Sequence, residues 1–473
     1  MKKKTIYLIS ALIAVITVSL ITYRYPWKSE VKAQGFDLDS IKKRGKIIAI
    51  TDFNSTDYFI YRGEPMGFTY ELLKGFADYL GIELEIVTES NLNSALDMLK
   101  SGKADIIASG INIGEELTGD VLFTQYIDET YKVLVRRKAG HNPDRKKEKE
   151  LTASREQLGL GKNAIYVQTG FYDYKMLISL ASSLGDSISI LDAPYDQEKL
   201  IKYVAEGVID YTICEENVAR ANISCYHSLD VSTHAGPVRK IAWAVRKHNS
   251  DTLLLELNNW LTDYRKSAAY AFLYAEYYRN SRSGIIIRSD YYAPITGRIS
   301  RYDDLIRKYS KNIDWDWRLL ASLICQESRF NPEVESKAGA YGLMQIMPET
   351  ADNLGIDITL SPENNIRAGI KYLGFLHSIF DDKVQDENER INFILASYNA
   401  GPGHVLDAMR LAEKNGMDPG KWVNVQSWLL MKSKPEYYND AVVKNGYFKG
   451  VESVNFVSEV IDRYNHYKNI AGE

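Results

Sequence analysis

The chain has 473 residues (53.8 kDa), 45% of them apolar and 25% charged, which at roughly 100 to 200 residues per domain implies two to four folded domains. Wholesale disorder, collagen-like structure and a polytopic membrane protein are excluded. With 58 Lys and Arg against 62 Asp and Glu the net charge is −4, which lacks the basic excess that phosphate neutralisation demands, so nucleic acid is not an expected partner. Cys214, Cys225 and Cys325 are too few for a disulfide framework, and no CxxC or HExxH spacing exists, so neither a metal nor a cofactor is expected.

Lys2, Lys3 and Lys4 precede an unbroken apolar run from Ile6 to about Thr22, long enough to cross or nearly cross a bilayer core of about 30 Å. The positive-inside bias then puts everything beyond Tyr25 outside the cytoplasm. A cleavage site needs small residues soon after the apolar core, yet Tyr23-Arg24-Tyr25-Pro26-Trp27 follows and Ala33 is the only Ala-ending candidate. Residues 1–30 therefore read as a signal or membrane anchor of an exported, periplasmic protein, with the uncleaved anchor favoured and both cleavage and the choice of membrane left open. No cysteine lies near the run to carry a lipid.

Residues 36 to 137 alternate β-like runs (Lys46 to Thr51, Glu83 to Thr88, Asp105 to Ala108) with helical ones (Tyr70 to Leu80, Leu92 to Lys100), which is α/β patterning. Arg44-Gly45-Lys46 before the first strand, Gly67-Phe68-Thr69-Tyr70-Glu71-Leu72-Leu73 at a helix start and Gly102-Lys103-Ala104-Asp105-Ile106 before another strand resemble the family 3 solute-binding domains of bacterial periplasmic receptors. The resemblance implies two lobes, lobe 1 at about 36–137 and 240–278 and lobe 2 at about 138–239. The hydrophilic stretch His141 to Gln157 reads as surface loops, Asn163 to Gln168 as a strand, and the chain returns to lobe 1 through Lys240 to Val245. Gly159-Leu160-Gly161-Lys162 lacks the full phosphate-loop spacing and is read as a plain turn. Eleven residues separate Cys214 from Cys225, which says nothing about disulfide geometry and leaves their pairing open. Residues 279–300 read as a linker, and strand patterning nearly vanishes beyond Ser300.

In the helical part, Trp317, Leu320, Ala321 and Ile324 recur at i, i+3, i+4 and i+7 behind Asp316, a candidate N-cap, which predicts an amphipathic helix ending by Asn331-Pro332. Glu327 then lies in or just after its last turn, where the negative end of the helix dipole and partial burial both disfavour the anion. A carboxyl still protonated near neutral pH is what cleavage of a glycosidic bond needs, because the leaving oxygen must receive a proton. Alone this feature carries little, since a Glu at a helix end is ordinarily solvated.

The continuation carries more. Glu327-Ser328-Arg329-Phe330-Asn331-Pro332, then Ser336, then Gly339-Ala340-Tyr341-Gly342-Leu343-Met344-Gln345-Ile346-Met347-Pro348-Glu349-Thr350-Ala351, and far downstream Ala396-Ser397-Tyr398-Asn399-Ala400-Gly401, strongly resemble family 1 lytic transglycosylases. The resemblance spans about residues 302 to 467 and implies a mainly α, lysozyme-like domain at 301–473. It implies that Glu327 acts first as acid toward the oxygen between N-acetylmuramic acid and N-acetylglucosamine, then as base toward the muramoyl C6 hydroxyl, leaving a 1,6-anhydro end. One carboxylate suffices because the attacking hydroxyl belongs to the substrate. Ser328 and Ser336 match family positions near the acid and the acetamido group, Gln345, Met347, Tyr398 and Asn399 match the sugar groove, and Glu452 matches a glutamate opposite the catalytic one. Phe456 stands where the family often has Tyr. Met344 and Ile346 are expected to pack inward.

In the receptor-like domain the resemblance makes Asp52, Tyr58, Ser109 and Glu215 pocket candidates, with Glu215 the lobe-2 acid for a ligand amino group. Leu117 falls where an amino-acid receptor places its carboxylate-clamping Arg, so the expected ligand is a small molecule or muropeptide other than a free α-amino acid. The expected whole is a peptidoglycan lytic transglycosylase acting on glycan strands, with a regulatory receptor-like domain. A hydrolytic muramidase on the same fold and a non-catalytic membrane-tethered solute or glycan sensor stay open as alternatives.

Overall fold

The computed structural model describes residues 37–470 apart from 113–118, 120, 142–144, 161, 170–173, 185–187, 224 and 280–281. The expected membrane segment at 1–30 and Leu117 lie outside the described residues. Among the described residues no helix is long and apolar enough to cross a membrane.

Thirteen strands are described: β1 (Lys46–Thr51), β2 (Phe59–Tyr61), β3 (Glu64–Met66), β4 (Glu83–Thr88), β5 (Ile106–Asn112), β6 (Val121–Phe123), β7 (Asp128–Thr130), β8 (Lys132–Arg137), β9 (Ala164–Gln168), β10 (Ser189–Ala193), β11 (Tyr211–Glu215), β12 (Leu229–His234) and β13 (Arg239–Arg246). They form two larger sheets and one hairpin. The first sheet has the order β4-β1-β5-β13-β6, with β7 on β13. Its β4, β1 and β5 are parallel, Ile47 facing Leu84 and Ala49 facing Ile106, while β13 runs antiparallel to β5. β13 follows all of the second sheet in sequence, so the chain leaves the first lobe, builds the second and comes back. The second sheet has the order β10-β9-β11-β8-β12.

β1 is a strand because KIIAIT is rich in β-branched residues, and it is central because both its faces are apolar enough to take helices. Helix α1 (Phe68–Leu80) buries Leu72, Leu73 and Phe76, and α2 (Leu92–Ser101) buries Ala95, Leu96 and Leu99 behind the N-cap Asn91. In the second lobe, α3 (Gln197–Glu206) starts at Asp196, whose carboxylate accepts from Lys199 N. Val133, Tyr166, Leu200 and Cys214 make that lobe's own core.

Beyond residue 246 every named element is helical: α4 (Asp303–Ser310), α5 (Trp317–Ser328), α6 (Pro362–Phe380), α7 (Glu387–Ala400), α8 (Pro402–Lys414), α9 (Trp422–Met431) and α10 (Val451–Lys468) pack around Leu320, Leu343, Phe393, Leu411 and Val460. This core is continuous with that of the first lobe through Tyr58, Phe59, Ile60, Tyr292 and Tyr467. The β2–β3 hairpin is the wedge between them. At its tip Gly63 has φ +82°, its carbonyl accepts from Tyr467 Oη at 2.7 Å, and a Cβ there would meet Tyr467, Phe330 and Cys325 at 2.6 to 3.0 Å. Asn469 at the chain's end adds bonds to the backbone of Thr88 and Ile86.

The structure differs from the sequence reading in several places. Residues Arg145–Leu158 form a helix rather than loops. Its polar composition hides that Leu151 is buried and that Arg155 folds its guanidinium onto the carbonyls of Gly207 and Val208. Among the described residues of 279–300 the chain is folded: Arg282–Ile287 and Ala293–Thr296 are helical, and Tyr292 is fully buried. Gly, Ser and Arg mark a linker by composition, but the hydrophobic residues around Tyr292 tie it down. All three cysteines are free thiols.

Candidate active site

Helix α5 begins where Asp316 accepts a hydrogen bond from Arg318 N and ends at Ser328. Its end is sharper than Asn331-Pro332 alone would make it. Arg329 and Phe330 both take left-handed backbone angles, with φ 49° and 59°, and Arg329 N–H caps the carbonyl of Cys325 at 2.9 Å. Two consecutive side-chain-bearing residues in that region are strained, and such strain concentrates where geometry is held for function. Glu327 sits in the last turn, partly covered, and burial alone pushes its carboxyl up to about 8. No other charged group contributes. The carboxyl is therefore largely protonated at neutral pH without a second acid to make it so.

Next along the chain is the 334–347 loop. Tyr341 pairs with Ile346 across a tight turn, and Gly342 N donates to Val334 O. Gly339 and Gly342 have φ of +86° and +79°, and a Cβ at Gly342 would collide with Asn365 at 2.4 Å, so this turn requires glycine there. Gln345 is also left-handed, φ 46°, and its Nε2 donates to the carbonyls of Val334 and Gly342 at 3.0 and 2.9 Å. Met344 and Ile346 are buried, while Met347 is exposed. Ser336 Oγ accepts from Ala340 N at 3.0 Å, which leaves its own hydrogen free to donate.

Tyr398, near the end of α7, donates its hydroxyl to the Met344 carbonyl at 2.6 Å. Burial, and then the field of Glu327, push its phenol well above the ordinary value, which places Tyr398 within electrostatic reach of the acid. Asn399 is exposed, and its Oδ1 accepts from Ser453 Oγ at 2.6 Å. Ser453 is in the first turn of α10 beside exposed Glu452, so Asn399 and Glu452 are tied across α7 and α10. Ser328 differs from its expected role: it is buried and its hydroxyl donates to Ile324 O at 3.1 Å, one turn back in its own helix. Phe456 is buried in the core.

Three residues that the sequence reading missed complete the arrangement. Asn365, on α6 and buried, accepts from Met344 N at 2.8 Å and donates to Tyr341 O at 2.8 Å, pinning both sides of the turn. Tyr372 packs against Tyr398 with ring centroids 5.4 Å apart. Ser453 is the third. The only advance signal was Asn365 itself, an amide inside an otherwise amphipathic helix, where Asn is disfavoured unless it has work outside the helix.

In the receptor-like domain the pocket candidates separate. Asp52 and Glu215 lie near one another across the lobes, and Ser109 is half-buried on β5. Tyr58 does not join them: it is fully buried, with its hydroxyl 3.0 Å from His466 Nδ1 and 3.3 Å from His466 O on α10. Its position one loop from Asp52 in sequence concealed that the loop turns its side chain toward the helical domain. Glu215 is also less available than a ligand-receiving acid should be, because its Oε1 is ion-paired with Lys132 at 2.8 Å and Arg239 at 3.0 Å. No group of acids, histidines and cysteines suited to a metal ion occurs among the described residues.

Residues 46–280 match the family model for bacterial extracellular solute-binding proteins, family 3, and residues 304–419 match the transglycosylase SLT domain. One solved structure that it resembles over half its length is a mutant of ArgBP from T. maritima, 26% identical with a TM-score of 0.41, covering 51% of this chain and 99% of that one. Membrane-bound lytic murein transglycosylase F of Pseudomonas fluorescens is 32% identical over 89% of this chain and 85% of its own length. Its counterpart in Desulfosudis oleivorans is 30% identical over 93% of each chain. With that identity over nearly the whole of both sequences, and with both domains matched in order, the chain belongs to the membrane-bound lytic murein transglycosylase F family.

Proposed function

We propose that the helical domain cleaves the β-1,4 bond between N-acetylmuramic acid and N-acetylglucosamine in peptidoglycan strands, with Glu327 as its only acid and base. The observation that carries this reading is a carboxyl at a strained helix end, raised to about 8 by burial alone, with no contribution from another carboxylate among the described residues. Such a group donates its proton to the leaving oxygen, and the anion left behind is basic enough to take the proton of the substrate's own C6 hydroxyl as that oxygen closes the anhydro ring. Ser336, Gln345, Met347, Tyr398, Asn399 and Glu452 line or brace the groove in this reading, and Ser328 acts on the helix end rather than on sugar. Tyr398 and Asn365 support the role of Gln345 by holding its loop from two helices.

In the same proposal the domains divide at 36–278 and 301–473, residues 1–30 tether the exported chain to a membrane, and the receptor-like domain binds a small solute or wall fragment that regulates cleavage. The continuous core around the β2–β3 hairpin supports communication between the two. The test is product analysis of wild type and Glu327→Gln on purified sacculi by mass spectrometry. Wild type should release muropeptides lighter by one water than hydrolytic products, and Glu327→Gln should release none. Reducing ends without the anhydro ring would make the enzyme a muramidase, and undiminished cleavage by Glu327→Gln would overturn the assignment.

A further inference from the structure

Resting on the reading of the helical domain as a glycan-cleaving one, we propose that His404 is a further substrate-binding residue, whose Nε2–H donates to an amide carbonyl of the peptidoglycan strand. His404 is in the first turn of α8, just beyond Asn399, and is partly exposed. The segment packed against it leads directly into Glu452 and Ser453. Asn445 Nδ2 donates to Gly403 O at 2.9 Å, and the Phe448 ring stacks on the imidazole with centroids 4.3 Å and planes 18° apart. Farther along the same two stretches, Asn399 is joined to Ser453. Residues 399–404 and 445–453 thus form one seam, and His404 lies on it beside the groove residues Asn399 and Glu452.

What lies behind the ring fixes its chemistry. Lys432, fully buried, directs its ammonium at His404 Nδ1, 2.8 Å away, and at the Asp407 carboxylate. Asp407 is also fully buried, and it accepts from Arg410, Lys444 N and Asn445 N as well. Against the effect of burial, the Lys432 hydrogen bond and the backbone donors bring its carboxyl down to about 2, so the anion that holds the Lys432 ammonium persists at neutral pH. An ammonium has hydrogens to give and no lone pair to receive one. Nδ1 must therefore be the acceptor nitrogen of the ring, and Nε2 the one that carries the hydrogen. Burial, and then the Lys432 charge, hold the imidazole below its ordinary range against the opposite pull of Asp407, which keeps it neutral. Its Nε2 meets no acceptor among the described residues. A ring that only filled space beneath Phe448 would not need a buried ammonium aimed at one of its nitrogens, because burying that charge is costly.

The acceptor's chemistry follows from this. Ser336 keeps its hydroxyl hydrogen, Asn399 spends its Oδ1 on Ser453 and keeps its amide hydrogens to give, and His404 adds a third uncharged donor. Uncharged donors suit uncharged acceptors. In peptidoglycan the strong ones are amide carbonyls, on the acetamido groups of both sugars and on the peptide stem, whereas a polysaccharide bearing hydroxyls alone has none. A donor locked in one tautomer also rejects what an imidazole free to turn over its hydrogen would accept, namely another N–H.

The test is calorimetry of the full chain carrying Glu327→Gln, which reports binding without turnover, with two probes: soluble peptidoglycan strands, and the same strands stripped of their peptide stems. Adding His404→Ala should weaken binding about three- to tenfold, the size of one uncharged hydrogen bond, and His404→Gln, which keeps an N–H at that place, should recover most of it. A loss that disappears on stripped strands puts the carbonyl on the stem, and one that persists puts it on an acetamido group. With Glu327 in place, His404→Ala should raise KM by the same factor and leave kcat within about twofold. Nitrogen-15 NMR of the imidazole at neutral pH should find hydrogen on Nε2 alone, a preference that Lys432→Met relaxes. Unchanged binding by His404→Ala on both probes, equal loss in the Ala and Gln variants, which marks a packing role, or a ring hydrogen on Nδ1 would each overturn the inference and leave the proposed reaction standing on its anhydro products. Strands that fail to bind the Glu327→Gln protein at all would overturn both.

Discussion

Replacing Glu327 by Gln should remove activity and add stability, and the second effect can be worked out from the same carboxyl. Moving a carboxyl from its ordinary 4.5 to about 8 means that the folded state disfavours the anion by about 5 kcal/mol, at about 1.4 kcal/mol per tenfold. In the unfolded chain Glu327 releases its proton above about pH 4.5, whereas the folded chain keeps it to about pH 8. The stability linked to this proton is therefore fully present below about pH 4.5, declines as pH rises, and is gone above about 8. Glutamine has no proton to lose. Relative to wild type, Glu327→Gln should be unchanged near pH 4, more stable by about 3 kcal/mol at pH 7 and by about 5 kcal/mol at pH 9. Urea unfolding at these three pH values measures this, because only the difference between the two proteins matters and the rest of the titration cancels. Turnover on sacculi should fall by about 10² to 10⁴ or more. A stability difference that does not change with pH, or turnover that survives, would refute the claim that this carboxyl is kept neutral for chemistry.

For the wild-type enzyme, kcat/KM should decline above about pH 8 as Glu327 loses its proton, a profile measurable on soluble glycan fragments. Tyr398→Phe leaves the buried Met344 carbonyl without its donor and should cost about 1 to 3 kcal/mol in urea unfolding, with a loss of turnover as the Gln345 loop loosens. Gly63→Ala drives a Cβ into Tyr467, Phe330 and Cys325 at a left-handed position, so it should cost about 1 to 3 kcal/mol and raise the proteolysis of the hairpin while the second lobe keeps its core. Lys432→Met takes one of two cations from buried Asp407, which keeps Arg410 and the backbone N–H groups of Lys444 and Asn445. A loss of about 1 to 3 kcal/mol in urea unfolding is expected.

Much of this protein was legible before any fold was seen, because the signals were local. The KIIAIT run, the cap at Asp316 and the glycines of the 339–342 turn act within a few residues of themselves, so sequence states them directly. Glu327 could be singled out because its helix end and the motif after it are contiguous. The polar segment that became the helix Arg145–Leu158 was misread because its helix is held by Arg155 reaching carbonyls some fifty residues away, which leaves no periodicity behind. Tyr58 was made a pocket candidate by family resemblance, yet its loop turns it onto His466, 408 residues downstream.

The chain order of charges, apolar periods and motifs thus determined the two kinds of domain and the acid proposed to work in one of them. Only the tertiary structure decided how protonated that acid is, which helices hold the Gln345 loop, and that the hairpin tip at Gly63 seals one domain's core to the other's. The reason is that burial and hydrogen-bond partnership are properties of surroundings assembled from distant segments, and a carboxyl's affinity for its proton is set by those surroundings rather than by its neighbours along the chain.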